Sequence, residues 1–84
     1  MSVVEFDYNK LRGRIKEKCG TQDAFAAKLG IGRVSLSQSL NNARDFSGDE
    51  IYRSCEILGI SREQIPVYFL LKKFRKANKG GENV

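Results

Sequence analysis

The chain contains no histidine and no tryptophan, one proline, one methionine and two cysteines. Two of these shortages close classes of function. Without histidine the commonest general base and the commonest metal ligand are both missing. Cys19 and Cys55 stand alone, outside any CxxC or Cys/His spacing, so neither a structural zinc site nor a bound metal is expected. They read as small buried residues in a reduced cytoplasm. No uninterrupted run of about 18 apolar residues occurs, which leaves no segment for a membrane span, and the first residues lack a basic-then-apolar signal pattern. No phosphate-cradling glycine loop and no evident carboxylate pair accompanies these gaps, so catalysis and cofactors are not expected.

What is present suits one small globule. Eighty-four residues, 40% of them hydrophobic, allow a single modest core. Residues 1–76 are expected to form that domain and 77–84, with Gly80 and Gly81, a disordered tail. The net charge of +5 is unevenly placed. Lys10, Arg12, Arg14, Lys16 and Lys18 crowd one flank, and Lys72, Lys73, Arg75, Lys76 and Lys79 the other, around a nearly neutral middle. Basic flanks suit a polyanionic partner.

The middle is organised around Thr21 to Asn42. Thr21 is a hydroxyl N-cap, with Gln22 and Asp23 at the positive helix end. Phe25, Ala26 and Leu29 share one face of a first helix, and Leu36 and Leu40 lie one turn apart on a second. Gly30 suits the left-handed residue that ends a helix, and Ile31 can tuck under the pair. Ala26 is small where the second helix must cross. Two short amphipathic helices with such a turn meet the helix-turn-helix specification.

Gln22, Phe25, Ala26, Lys28-Leu29-Gly30-Ile31 and Leu36 together resemble the DNA-binding unit of the phage repressor and Cro family. From roughly Tyr8 to Ile65 the chain is similar to the small five-helix Cro-like phage regulators. That resemblance implies an all-α, compact, lambda-repressor-like domain with its helix-turn-helix at 21–42. It further implies a two-fold homodimer, formed in solution or only on DNA, on a pseudo-palindromic operator. The half-sites would lie about one helical turn, ~34 Å, apart. Ser39 departs from the pattern, which often has an apolar residue there; Leu40 is expected to take that core slot.

The rest of the chain repeats helix-start chemistry. Residues 1–5 read as a loose arm. Asp7 is expected to cap a first helix whose buried stripe is Tyr8, Leu11, Ile15 and Cys19, with Gly13 weakening its interior by roughly 1 kcal/mol. A close packing contact at Gly13 would account for it. Ser47–Glu50 and Ser61–Gln64 are capping boxes, the first opening a helix that buries Ile51, Cys55 and Leu58. Pro66 should interrupt the segment after the second box, and 66–76 reads equally as helix or strand. Its apolar side chains should complete the core, form a subunit interface, or both.

The helix from 33 to 41 is the expected major-groove reader, because that groove admits one α-helix and displays a distinct pattern for each base pair. Arg33, Val34, Ser35, Ser37 and Gln38 are the candidate base-reading residues. Thr21, Gln22, Lys28, Asn41, Asn42 and Arg44 are the candidate phosphate contacts. The function expected is sequence-specific binding of double-stranded DNA by a Cro-like phage or prophage transcriptional repressor in the bacterial host cytoplasm. The alternative is a protein-interaction module, antirepressor or antitoxin-like, docking through Tyr68–Phe74.

Overall fold

The computed structural model describes residues 5–72. Five α-helices follow one another: α1 (Asn9–Cys19), α2 (Gln22–Leu29), α3 (Arg33–Leu40), α4 (Gly48–Leu58) and α5 (Ile65–Phe69), the last entered through a 3-10 turn at Arg62–Gln64. The fold is all-α; among the described residues the one β-type contact is an antiparallel bridge between Phe6 and Lys72. The expected arm over 1–5, Glu5 aside, and the expected tail over 77–84 lie outside the described residues.

The core is made where the periodicity places it. Leu11 and Ile15 of α1, Phe25, Ala26 and Leu29 of α2, and Leu36 and Leu40 of α3 are buried together with Tyr8, Leu58, Ile60 and Phe69. Removing that much aliphatic and aromatic surface from water is the main force holding the helices together. Phe46 joins the two ends of this core. Its ring meets Tyr8 edge-on at 5.5 Å and Phe69 at 5.4 Å, the T-shaped geometry that the ring quadrupoles favour.

Four local readings are corrected. Helix α1 begins at Asn9 with Tyr8 at the cap position; Asp7 instead accepts the Asn9 amide hydrogen on its side chain at 2.9 Å. Gly13 makes no close contact, since a Cβ there would meet nothing within 4 Å. Helix α4 buries Glu50, Ser54 and Leu58, while Ile51 and Cys55 are only half-buried. The polar pair can face inward because both are bonded. Ser54 donates to the Glu50 carbonyl at 2.7 Å, and Glu50 accepts the Ser47 amide at 3.0 Å in the capping box. Pro66 does not break the last helix but sits in its first turn, where a missing amide hydrogen has no helical partner to lose.

Candidate nucleic-acid interface

The α2–α3 pair is positioned by three independent devices. Thr21 accepts the Ala24 amide on its hydroxyl at 3.0 Å and so fixes where α2 starts. Gly30 ends α2 at φ 86°, ψ 25°, a left-handed conformation that costs a residue with a Cβ about 1–2 kcal/mol. The Gly30 and Ile31 amides both return to the Ala26 carbonyl, at 2.9 and 3.1 Å. Beneath, Leu29 and Leu36 are fully buried. Helix α3 therefore has little freedom to roll.

Its inner face carries Leu36, Ser39 and Leu40. Leu40 fills the core slot, and Ser39 stays inside with it. The Ser39 hydroxyl is satisfied by Arg44, which donates to it at 2.6 Å and pairs with Glu50 at 2.6 Å. This Ser39–Arg44–Glu50 chain ties the last turn of α3 to the start of α4. The Arg44 hydrogen bond holds the Glu50 carboxyl below the usual carboxylate range, helped by the Ser47 amide, against a desolvation that pushes the other way.

The outer face of α3 presents Arg33, Val34, Ser37, Gln38 and Asn41, all exposed; Ser35 is half-buried on its flank. Val34 is 65% exposed, an aliphatic side chain standing in solvent on the side of its helix away from the core. Arg33, Val34 and Ser37 line one depression with Gln22 and Asp23 of α2. A second hollow beside it gathers Lys16, Thr21 and Gln22. Four sequence-derived candidates, Gln22, Arg33, Val34 and Ser37, thus meet on one surface, with Thr21 next to them. The first amide hydrogens of α2, unpaired within the helix, open on the same side.

Other candidates are engaged elsewhere. Asn42 adopts φ 64°. Its side-chain oxygen accepts the Phe6 amide at 2.9 Å and its NH₂ donates to the Phe6 carbonyl at 2.9 Å. Asn41 accepts from Arg12 at 3.1 Å. Lys28 stands in the last turn of α2, opposite the end that carries Thr21 and Gln22, where it complements the negative pole of that helix. Two participants escape sequence reasoning. Lys16 reaches this face only because α1 packs across the start of α2. Asp23 pairs with Arg33 at 3.0 Å across the turn, and no sequence signal joins residues ten apart on different helices.

Three arginines have internal duties. Arg12 donates to the Leu40 carbonyl at 2.7 Å, closing the C-terminus of α3. Arg14 donates to the Leu58 and Gly59 carbonyls at 2.9 and 3.2 Å, closing α4. Arg53 donates to the Leu29 carbonyl at 3.0 Å, closing α2, and also pairs with Asp49. Three helix ends thus share one solution: a cation on the negative pole that satisfies carbonyls with no partner of their own.

Among the described residues no three of His, Cys, Asp and Glu converge, and none of the helices is long and apolar enough to cross a membrane. Burial pushes the Cys55 thiol up, away from the reactive thiolate.

Five α-helices among the described residues, with α2 and α3 joined by a tight turn and polar side chains on the outer face of α3, define a small all-α fold. The chain belongs to the family described as protein of unknown function DUF739, whose model matches residues 4–72. It is similar to the modulator of repression (MOR) of the temperate bacteriophage TP901-1 from Lactococcus lactis, solved in solution. The two share 39% identity over 76% of this chain and 86% of that one, with a TM-score of 0.68. No curated protein matches the chain.

Proposed function

We propose that this chain is a small phage or prophage regulator of repression that binds double-stranded operator DNA, with α3 in the major groove. One observation carries the reading: Gln22 at the open start of α2 and Arg33, Val34 and Ser37 of α3 line a single surface. A backbone-anchoring group and a base-facing helix need that juxtaposition. In this reading Arg33 forks onto guanine, Gln38 pairs with adenine and Val34 meets a thymine methyl, with Ser35 and Ser37 as short polar neighbours. Thr21, Gln22 and Lys16 hold one phosphate. The Thr21 hydroxyl accepts within the helix cap yet keeps its proton to donate. Lys28 and Asn41 are peripheral contacts, while Asn42 and Arg44 act one step back, by shaping the end of α3.

The remaining elements of the reading follow the Cro-like resemblance: a homodimer on a pseudo-palindromic operator, acting in the bacterial host cytoplasm as a repressor without catalysis or cofactor. Selection from a random duplex pool tests it. Arg33→Ala should relax preference at one base pair, and Gln22→Ala should weaken all sequences alike. Absence of any selected motif refutes the reading.

A second reading has its own support. The solved relative is by name a modulator of repression. On this chain Asp23 cancels the charge of Arg33, and Val34 stands exposed. A face so neutral also suits a protein, and the partner would then be a phage repressor. Salt separates the two. DNA binding weakens steeply as salt rises, whereas a largely uncharged protein contact does not.

A further inference from the structure

We propose that Asp23 is a specificity-determining residue that aims Arg33 at a base and keeps it off the phosphates; this rests on the DNA-binding reading above. Arg33 is the first residue of α3, and that helix has no acidic residue in its first turn. A cation at that end opposes the helix dipole, so its place there is not explained by helix stability. Asp23 sits in the first turn of α2, where the dipole favours it. Its Oδ2 takes Nη1 of Arg33 at 3.0 Å, although both side chains are largely exposed, 63% and 73%.

An exposed pair of this kind contributes little to folding. What it does is geometric. Nη1 of the guanidinium is turned toward α2, so the fork is held by one corner. Nε and Nη2 remain to address an acceptor pair such as guanine N7 and O6, which needs two parallel donors in a fixed plane. Val34 and Ser37 line the same depression, so the held fork lies beside the other base-facing groups. The same carboxylate repels any phosphate that approaches Arg33. Asp23 therefore lowers affinity for every duplex while sharpening the choice at one base pair.

The test is selection from a randomised duplex pool, with affinity for one random-sequence duplex measured over a range of salt. The proteins are the full chain and its Asp23→Asn, Asp23→Glu, Arg33→Ala and Asp23→Asn/Arg33→Ala variants. Asp23→Asn should bind the random duplex more tightly and with a salt slope steeper by about 0.9, one more phosphate being neutralised. It should also lose roughly tenfold in preference at the base pair that Arg33→Ala makes indifferent. Asp23→Glu should restore part of that preference, which a purely structural role would not do. In the Arg33→Ala background Asp23→Asn should change no base preference. If Asp23→Asn keeps the parental motif undiminished, the positioning role is overturned and the DNA-binding reading survives. If the parent itself selects no motif, both fall together.

Discussion

Asn42 offers the sharpest test of how the end of α3 is held. It is the one non-glycine residue at positive φ among the described residues, at 64°, and its amide makes two bonds of 2.9 Å to the Phe6 backbone. Phe6 in turn bridges to Lys72, and the Asp7 amide donates to the Leu71 carbonyl at 2.7 Å. One side chain thus staples the N-terminal arm, the end of α3 and the exit from α5. Asn42→Gly keeps the backbone conformation and deletes both hydrogen bonds. At about 1 kcal/mol each, with about 0.5 kcal/mol for glycine's unfolded-state freedom, the loss is about 2.5 kcal/mol. Asn42→Ala deletes the same bonds and adds about 1–2 kcal/mol of left-handed strain, for about 3.5 kcal/mol in all. At roughly 5 °C per kcal/mol for a domain of this size, melting followed by circular dichroism should fall by about 12 °C and about 17 °C. An alanine variant no less stable than the glycine variant refutes the strain argument. Losses below about 0.5 kcal/mol in both, the range of an ordinary surface substitution, refute the staple itself.

Two further outcomes rest on the packing. Gly13 lies inside α1, and a Cβ added to it would meet nothing within 4 Å. Gly13→Ala should therefore stabilise the chain by about 0.5–1 kcal/mol in urea unfolding, and a destabilisation would mean a hidden close approach. The Glu50 carboxyl is held below its ordinary 4.5 by Arg44, so the folded state favours the ionised form. That contribution is complete above about pH 4.5 and is lost as pH falls through the lowered value. Glu50→Gln should therefore flatten the acid limb of the stability profile, and an unchanged limb would show that other carboxyls govern it.

Most of the helical framework is legible in the sequence because its signals are local. Thr21, Gly30, Ser47 and Gly59 cap or end helices through contacts a few residues away, and the 3.6-residue period places Phe25, Leu29, Leu36 and Leu40 inside. The buried face of α4 is misread by one position because hydrophobicity ranks Ile51 and Cys55 above Glu50 and Ser54. The inward face is decided instead by hydrogen-bond partners supplied by Arg44 and Ser47. Pro66 misleads for a related reason: its effect depends on where the helix begins, which the 3-10 turn fixes. At the site, Arg33, Val34, Ser37 and Gln38 can be placed from the phase of α3. The partners of Asn42, Arg44 and Asp23 cannot, since Arg44 and Asp23 reach across a loop or a turn and Asn42 meets Phe6 across three intervening helices.

Charge shows the same divide between composition and address, and it yields a number. The sequence holds fifteen cations, and a count alone would suggest a steep electrostatic attraction to DNA. Yet Arg12, Arg14 and Arg53 close helix ends and Arg44 is tied to Glu50. Arginine suits such work because its planar fork can satisfy a carbonyl and a second acceptor together, whereas lysine offers a hydrated point charge. On the described part of the chain the outward charge against the α2–α3 face is then left mainly to Lys16, with Lys28 at the far end of α2 and Arg33 held by Asp23. Each neutralised phosphate adds about 0.9 to the slope of log affinity against log salt. The described residues therefore support a slope of about 1 to 2 per chain, not one near ten. A chain truncated after Lys72 that still shows a slope near ten would mean that the internal arginines turn outward on DNA, and the division between scaffold and contact drawn from their hydrogen bonds would be wrong.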